Sequence, residues 1–277
     1  MSRVALIAGS GALPGLLAAA LAGAGRPPLV ARLEGTPVPE GEGAVRFRLE
    51  RLVPFMDSLS DAGVTEVVFA GAATRPRIDP EAFDARTAQL VPRLLAAMGQ
   101  GDDGALRGLI ALFEEWGFAV LGADQVAPDL VPGPGVLTGS PSGADEADVA
   151  RAAAIVADLG ALDLGQGAVV AQGLCLAVET LPGTDAMLAF AALHGPALRP
   201  NPRGARGVLY KAPKPGQDRR IDLPAIGPET VAGAARAGLA GIAWEAGGVL
   251  LLDRAATVAA AGAAGLFLWS RAPDAGP

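Results

Sequence analysis

Cysteine and histidine each occur once in this chain of 277 residues, as Cys175 and His194. A single cysteine cannot close an internal disulfide, so nothing in the sequence calls for an oxidising compartment. The same scarcity excludes a zinc centre of the usual Cys/His type, and any histidine-based triad must run through His194. His194 ends the stretch TDAMLAFAALHGP, just before Gly195 and Pro196, where a histidine commonly meets the last carbonyls of a helix. Lysine is nearly as rare: of 22 basic residues, all but Lys211 and Lys214 are arginine. Aromatic residues make up 4% of the chain. The most apolar late stretch, VAAAGAAGLFLW, has 12 residues, short of the ~20 that cross a bilayer as a helix.

What is present is apolar and acidic. Hydrophobic residues reach 51% and charged residues 18%, enough apolar surface for a real core and too little charge for a disordered chain. With 29 acidic and 22 basic side chains the net charge is -7, which opposes a nucleic-acid partner because a phosphate backbone needs clustered cations. The opening MSRVALIAGSGALPGLLAAALAGAG imitates a signal peptide, but Gly9, Ser10, Gly11 and Pro14 interrupt the apolar region where a signal needs continuous helix. It reads as strand, tight loop and helix, and a cytoplasmic protein is expected.

Along the chain, short apolar runs alternate with helical stretches. VALIAG, PPLVARL, TEVVFAGAA and AVLGADQV read as strands; PGLLAAALAG, FMDSLSDAGV, residues 88–99 and GDDGALRGLIALFEEWGF read as helices. The fold class expected is α/β, with a Rossmann-like parallel domain over residues 1–130. LVPGPGVLTGSPSGADEAD is rich in Pro, Gly, Ser and Thr, and residues 131–144 are expected to form a linker. A mixed α/β domain over 145–277 is expected to be catalytic, with GAVVAQGLCLAVE as two strands meeting at Gln172 and Gly173, and GIAWEAGGVLLLD hairpin-like.

Several loops carry residues suited to phosphate. Gly9, Ser10, Gly11 and Ala12 offer backbone N–H groups at a helix start, although Pro14 stands where a dinucleotide fingerprint has its third glycine. Glu34 could meet a ribose, and Arg75 follows a strand at its carboxyl end, the edge where open α/β sheets bind ligands. Asp102 and Asp103 read as a helix cap and first-turn charge. In the second domain Thr184 and Asp185 open a helix, equally suited to holding a phosphate or to capping. Lys211 and Lys214 lie three apart in KAPKP, compact charges suited to single phosphate oxygens. Asp222 sits between Ile221 and Leu223 and before Pro224, a setting that fixes a carboxylate for Mg²⁺ or for an attacking water unless it pairs with Arg219 or Arg220. Glu179 is a second acid for such a site, or an edge-strand surface charge.

Taken in order, AGSGALP, TRP, GDD, DLGQGAVV, PGTDAML, KAPKP and DLPAIG resemble the UDP-2,3-diacylglucosamine pyrophosphatase family that lacks metallophosphoesterase motifs, over essentially the whole chain. The resemblance implies a two-domain, Mg²⁺-using hydrolase of lipid A synthesis. Its substrate would be a UDP-linked diacylated glucosamine lipid, and its products UMP and 2,3-diacylglucosamine 1-phosphate (lipid X). It makes Asp222 the family's catalytic aspartate and puts Gln166, Thr184, Asp185, Lys211 and Lys214 in matching loops, and Lys211 and Lys214 are expected to join Asp222 in catalysis by stabilising the departing charge. Asp222, Asp185 and Glu179 are the expected metal ligands; Gly9, Ser10, Gly11, Ala12, Arg75, Gln166, Thr184 and Asp185 the expected substrate contacts. Ser10 replaces a glycine of many relatives, and TRP follows Ala73 rather than a polar pair. A lipid substrate implies peripheral contact with the cytoplasmic face of the inner membrane, and a homo-oligomer is left open. The competing readings are an NAD(P)-dependent oxidoreductase, or a nucleotide- or lipid-binding protein using the N-terminal glycine loop.

Overall fold

A computed structural model of the chain describes residues 2–37, 39, 43–72, 78–99, 101–221 and 223–272, with the side chains of 98 and 101–103 excepted. Arg75 and Asp222 therefore lie outside the described residues. The chain divides into two compact units, Met1–Pro128 and Asp129–Pro277.

The first unit alternates strand and helix: β1 (Arg3–Ala8), α1 (Leu13–Gly23), β2 (Leu29–Leu33), β3 (Val45–Phe47), α2 (Leu52–Asp61), β4 (Val64–Ala70), α3 (Ala85–Ala88), α4 (Val91–Met98), α5 (Gly101–Glu115), β5 (Ala119–Leu121) and α6 (Ala123–Val126). The strands form one sheet in the order β3-β2-β1-β4-β5, parallel at every pairing. Parallel strands are covered on both faces, which is why the central ones read as unbroken apolar runs: Val4, Ala5 and Leu6 of β1 and Val67 and Val68 of β4 are buried. Pro14 opens α1, where its missing N–H costs nothing, and Gly25 in the left-handed region (φ 72°) ends it. Chain order reverses between β1 and β4, so the switch point of the sheet lies at the Gly9 loop.

The second unit holds β6 (Gly135–Thr138), α7 (Gly143–Ala161), β7 (Gly167–Ala171), β8 (Leu174–Val178), α8 (Gly183–Leu198), β9 (Val208–Lys211), β10 (Ala225–Ile226), α9 (Pro228–Arg236), β11 (Gly241–Glu245), β12 (Leu250–Leu251), α10 (Arg254–Ala263) and β13 (Phe267–Arg271). Six strands make a mixed sheet in the order β6-β13-β11-β9-β7-β8, with β9, β11 and β13 parallel and β6 and β7 antiparallel to their neighbours. Side chains alternate between its faces. Val169, Leu209, Ile242, Trp244 and Leu268 pack with Met187, Leu188, Val231 and Ala261 from α8, α9 and α10. Ala168, Val170, Val208, Tyr210 and Phe267 pack with Val149, Ala152 and Val156 of α7. The layers are helix, sheet, helix. The β7–β8 turn falls at Gln172 (φ 55°) and Gly173 (φ 78°), the two left-handed residues a tight hairpin requires.

The α/β class expected from the sequence is the one observed, with differences of detail. VRF forms β3, a short edge strand after a Pro/Gly-rich stretch, so TEVVFAGAA is the fourth strand in chain order. AVLGADQV splits into β5 and α6, and residues 88–99 lie across the end of α3, a turn and α4. β6 forms inside the 131–144 stretch expected as linker and pairs with β13. β11 and β12 are not a hairpin: β11 lies between β9 and β13, while β12 pairs in parallel with β10. α8 continues past His194 through Gly195 and Pro196 to Leu198, so His194 is not its last turn; the exposed ring packs on Phe190 at 4.5 Å between centroids. No described helix is long and apolar enough to cross a membrane.

Candidate active site

In the second unit the carboxyl ends of β8, β9, β11 and β13 share one edge of the sheet with the amino end of β7. Open sheets bind ligands at such an edge. Lys211 is the last residue of β9, opposite Gly167 on β7 and Trp244 on β11. Glu179 follows β8, and its backbone N–H donates to the Gly167 carbonyl at 2.8 Å. Thr184 lies in the first turn of α8.

These three side chains meet. Lys211 Nζ donates to Thr184 Oγ1 at 2.6 Å, and Thr184 Oγ1 donates to Glu179 Oε1 at 2.8 Å. Lys211 Nζ also faces Glu179 Oε2 at 3.6 Å and reaches the Ala225 carbonyl at 3.5 Å. Lys211 is 4% exposed and Glu179 8%, so the strand-end acid is no surface charge. Its burial is tolerable because a cation and a hydroxyl answer it. The glycines of DLGQGAVV give the carboxylate its room. A Cβ on Gly167 would sit 2.6 Å from Glu179 Oε2, and one on Gly165 would sit 2.0 Å from the Glu179 carbonyl oxygen. Between them Gln166 gives its backbone carbonyl to the Ala212 N–H, while its side-chain Oε1 is buried without a hydrogen-bond partner, as is Glu179 Oε2. These two buried acceptors, one without a hydrogen bond and one met only by the ion pair to Lys211, mark this edge as a place where a ligand hydroxyl or N–H would be welcome.

The neighbouring residues divide. α8 has no side-chain cap, because Pro182 precedes it and the Thr184 hydroxyl turns to Glu179. The Gly183 N–H donates to the Thr180 carbonyl at 2.8 Å, and no side chain caps the N–H groups that follow it beside Lys211, with Asp185 exposed in the same turn. Lys214 goes elsewhere: Nζ meets Asp163 Oδ1 at 2.5 Å near the end of α7, and its backbone N–H donates to Gln217 Oε1. The prolines of KAPKP explain the loop's path. Cβ atoms on Gly248 and Gly160 would stand 2.8 Å from Pro213 and 2.7 Å from Pro215. Arg219 pairs with Glu245 at 2.7 Å and Arg220 with Asp218 at 2.7 Å. Asp222, the acid the sequence favours most, lies outside the described residues.

For Mg²⁺, no group of three acidic, histidine or cysteine side chains converges among the described residues. Glu179 already faces an ammonium ion and a hydroxyl. The described donors alone do not fit a hard cation that prefers several carboxylate oxygens.

The first unit's glycine loop is closed on itself. Gly9 N–H donates to the Ala70 carbonyl at 2.7 Å, Ser10 N–H and Oγ donate to the Ala72 carbonyl at 2.9 and 3.1 Å, and Ala72 N–H donates back to the Ser10 carbonyl. The loops after β1 and β4 are zipped at the switch point. That requires glycine, since Cβ atoms on Gly9 and Gly71 would lie 2.4 Å from the carbonyl oxygens of Ala72 and Ser10. The N–H groups of Gly9 and Ser10 are therefore not aimed at a phosphate; among the described residues those of Gly11 (φ 93°) and Ala12 take no part in this zip. Arg32, buried at the end of β2 and not singled out from the sequence, donates to the Gly9 carbonyl at 2.6 Å. Glu34 is exposed and lies 3.7 Å from Arg48. Asp102 and Asp103 fall in the first turn of α5 rather than before it.

Comparison with known proteins decides the family. Residues 3–130 match the LpxI N-terminal domain and residues 133–269 the LpxI C-terminal domain. The chain belongs to the LpxI family. It is 41% identical over 280 residues, the full length of both chains, to UDP-2,3-diacylglucosamine pyrophosphatase LpxI of Caulobacter vibrioides. Within an LpxI-family chain the Lys211–Thr184–Glu179 cluster belongs to the C-terminal domain and the zipped glycine loop to the N-terminal one. A cavity of about 420 Å³ in the C-terminal domain, lined by Thr138, Ser142, Arg206 and Phe267 among others, lies at the opposite, amino-end side of β13 from this cluster.

Proposed function

We propose that this chain hydrolyses the pyrophosphate of UDP-2,3-diacylglucosamine to UMP and 2,3-diacylglucosamine 1-phosphate. The full-length match to a relative of that activity carries the reading. The buried Lys211 beside the uncapped start of α8 gives it a physical seat. A pyrophosphate repels a nucleophile through its own negative charge, and a fixed ammonium plus helix N–H groups would offset that charge as it develops on the leaving phosphate. Water attacks the phosphorus nearer uridine, a new P–O bond forms, the bridging P–O bond breaks, and the bridging oxygen leaves with the lipid phosphate. The water's protons pass to solvent or to a base, for which Asp222 is the candidate.

Glu179 and Thr184 act on Lys211, fixing its position. Gln166 and Asp185 flank the same edge as substrate contacts. Lys214 holds the KAPKP loop through Asp163. Mg²⁺ is proposed as the cofactor on the family resemblance, with Asp222 and Asp185 as its donors; when bound it would neutralise phosphoryl oxygens and orient water. Gly11, Ala12 and Arg75 are the proposed contacts of the first domain. A lipid substrate supports a peripheral position at the cytoplasmic face of the inner membrane.

The deciding assay incubates purified protein with UDP-2,3-diacylglucosamine and Mg²⁺ and follows UMP. Release that chelator abolishes and Mg²⁺ restores is expected, and absence of release would sink the hydrolase reading. Asp222→Ala should abolish turnover while retaining lipid; unchanged turnover would remove Asp222 from the chemistry. Nicotinamide cofactor retained through purification would favour the oxidoreductase alternative.

A further inference from the structure

Beyond Asp185, α8 is apolar on both its inward and outward faces, with His194, packed on Phe190, the one polar side chain. Its inward face buries Met187, Leu188, Ala191 and Gly195, yet its outward face repeats the pattern with Ala186, Phe190, Leu193 and Ala197, which helical spacing aligns in one narrow stripe. Leu193 is 75% exposed, Phe190 51%, and Leu181 at the helix entrance 93%. Water is a poor neighbour for such a stripe, and contiguous exposed apolar patches mark interaction surfaces. The stripe starts at the end of α8 that carries Thr184 and runs away from it.

Charge identifies the occupant. From 183 to 206 the acidic chain turns basic, with one acid, Asp185, against Arg199, Arg203 and Arg206. Arg236 ends α9, which packs against α8. Arg199 and Arg206 donate to backbone carbonyls, of Arg206 and Gly265, and not to carboxylates. Among the described residues these four guanidinium groups have no acidic partner. An apolar stripe with unneutralised arginines at one end suits an interface of hydrocarbon beneath anionic headgroups, where aliphatic and aromatic side chains enter the acyl region and arginines meet phosphates.

We propose that the outer face of α8, with Leu181 and the arginines that follow the helix, docks the second unit onto a bilayer containing anionic lipid. This deepens the membrane association inferred above from the lipid substrate. It also accounts for a surface stripe that neither the core nor the Lys211 cluster uses.

Flotation of the full chain with vesicles, in the absence of any substrate, tests the surface separately from the reaction. Vesicles of phosphatidylcholine mixed with phosphatidylglycerol should carry the protein upward more than phosphatidylcholine alone. Phe190→Glu with Leu193→Glu should lower partitioning about tenfold or more. Arg203→Gln should lower it about fivefold on anionic vesicles only, the difference vanishing in high salt. These positions face water, so the thermal transition and hydrolysis of detergent-dispersed substrate should be retained. Equal flotation of wild type and the double variant would overturn the proposal. So would light scattering showing a dimer that the double variant breaks without changing flotation, since the stripe would then be covered by a second copy. If the protein floats as expected but releases no UMP, the hydrolase reading fails and the surface stands.

Discussion

Lys211 and Lys214, three residues apart and alike in type, end in different surroundings. The first is buried against Glu179 and Thr184, and the second ties a loop to Asp163 near the surface. Removing one member of a buried ion pair leaves the other uncompensated, at about 3–5 kcal/mol. Lys211→Met and Glu179→Leu should therefore each lower the denaturation midpoint strongly, while the double variant should cost less than the sum; additivity in urea titrations would show that the two do not interact. Lys214→Met should cost about 1 kcal/mol or less and reduce UMP release far less than Lys211→Met, and equal losses of turnover would restore Lys214 to the chemistry. Cys175 lies exposed on the edge strand β8, and desolvation of its thiol pushes the pKa up, opposite to what a nucleophile needs. Cys175→Ala should leave turnover unchanged, and any loss beyond about twofold would contradict this.

The β7–β8 hairpin is held from outside itself. Asp148 of α7, 2% exposed, accepts the Gln172 and Gly173 N–H groups at 2.9 and 2.7 Å through its two carboxylate oxygens. Charge-assisted bonds to buried N–H groups are worth about 1.5–3 kcal/mol each, so Asp148→Ala should destabilise the second unit by about 3 kcal/mol or more. Hydrogen exchange at Gln172 and Gly173 reads the same bonds, and protection unaltered by the substitution would refute it. The turn itself was legible, because Gln-Gly between two apolar runs signals a hairpin. The residue that grips it was not, since Asp148 stands 24 positions away and only the packing of α7 on the sheet brings it there. The same holds at the N-terminus. AGSGALP reads as a phosphate loop, yet Gly9 is needed where the loops after β1 and β4 touch, a contact invisible until the strand order is known.

Across the molecule, acid should loosen the first unit through Glu50. A hydrogen bond from the Asp79 backbone N–H, with those from Arg48, holds this buried carboxyl below the usual carboxylate range despite its desolvation. A depressed pKa contributes stability that is present above the unfolded value of about 4.3 and is lost as pH falls through the folded value. Melting of wild type should fall on acidification through that window, and Glu50→Gln should flatten the fall; identical slopes would exclude Glu50 as a source.

Composition and local pattern determined what can be settled within a few neighbours. A lone cysteine and histidine removed disulfide and zinc chemistry, periodicity gave the α/β class, and ordered short motifs gave the family, because each depends only on residue type and spacing. Tertiary structure decided which charges meet. Glu179, Thr184 and Lys211 are separated by as many as 32 residues in the chain, and burial makes their contact strong. Only the sheet, by setting β8, β9 and the start of α8 at one edge, converts a rare lysine into a fixed cation beside a helix end.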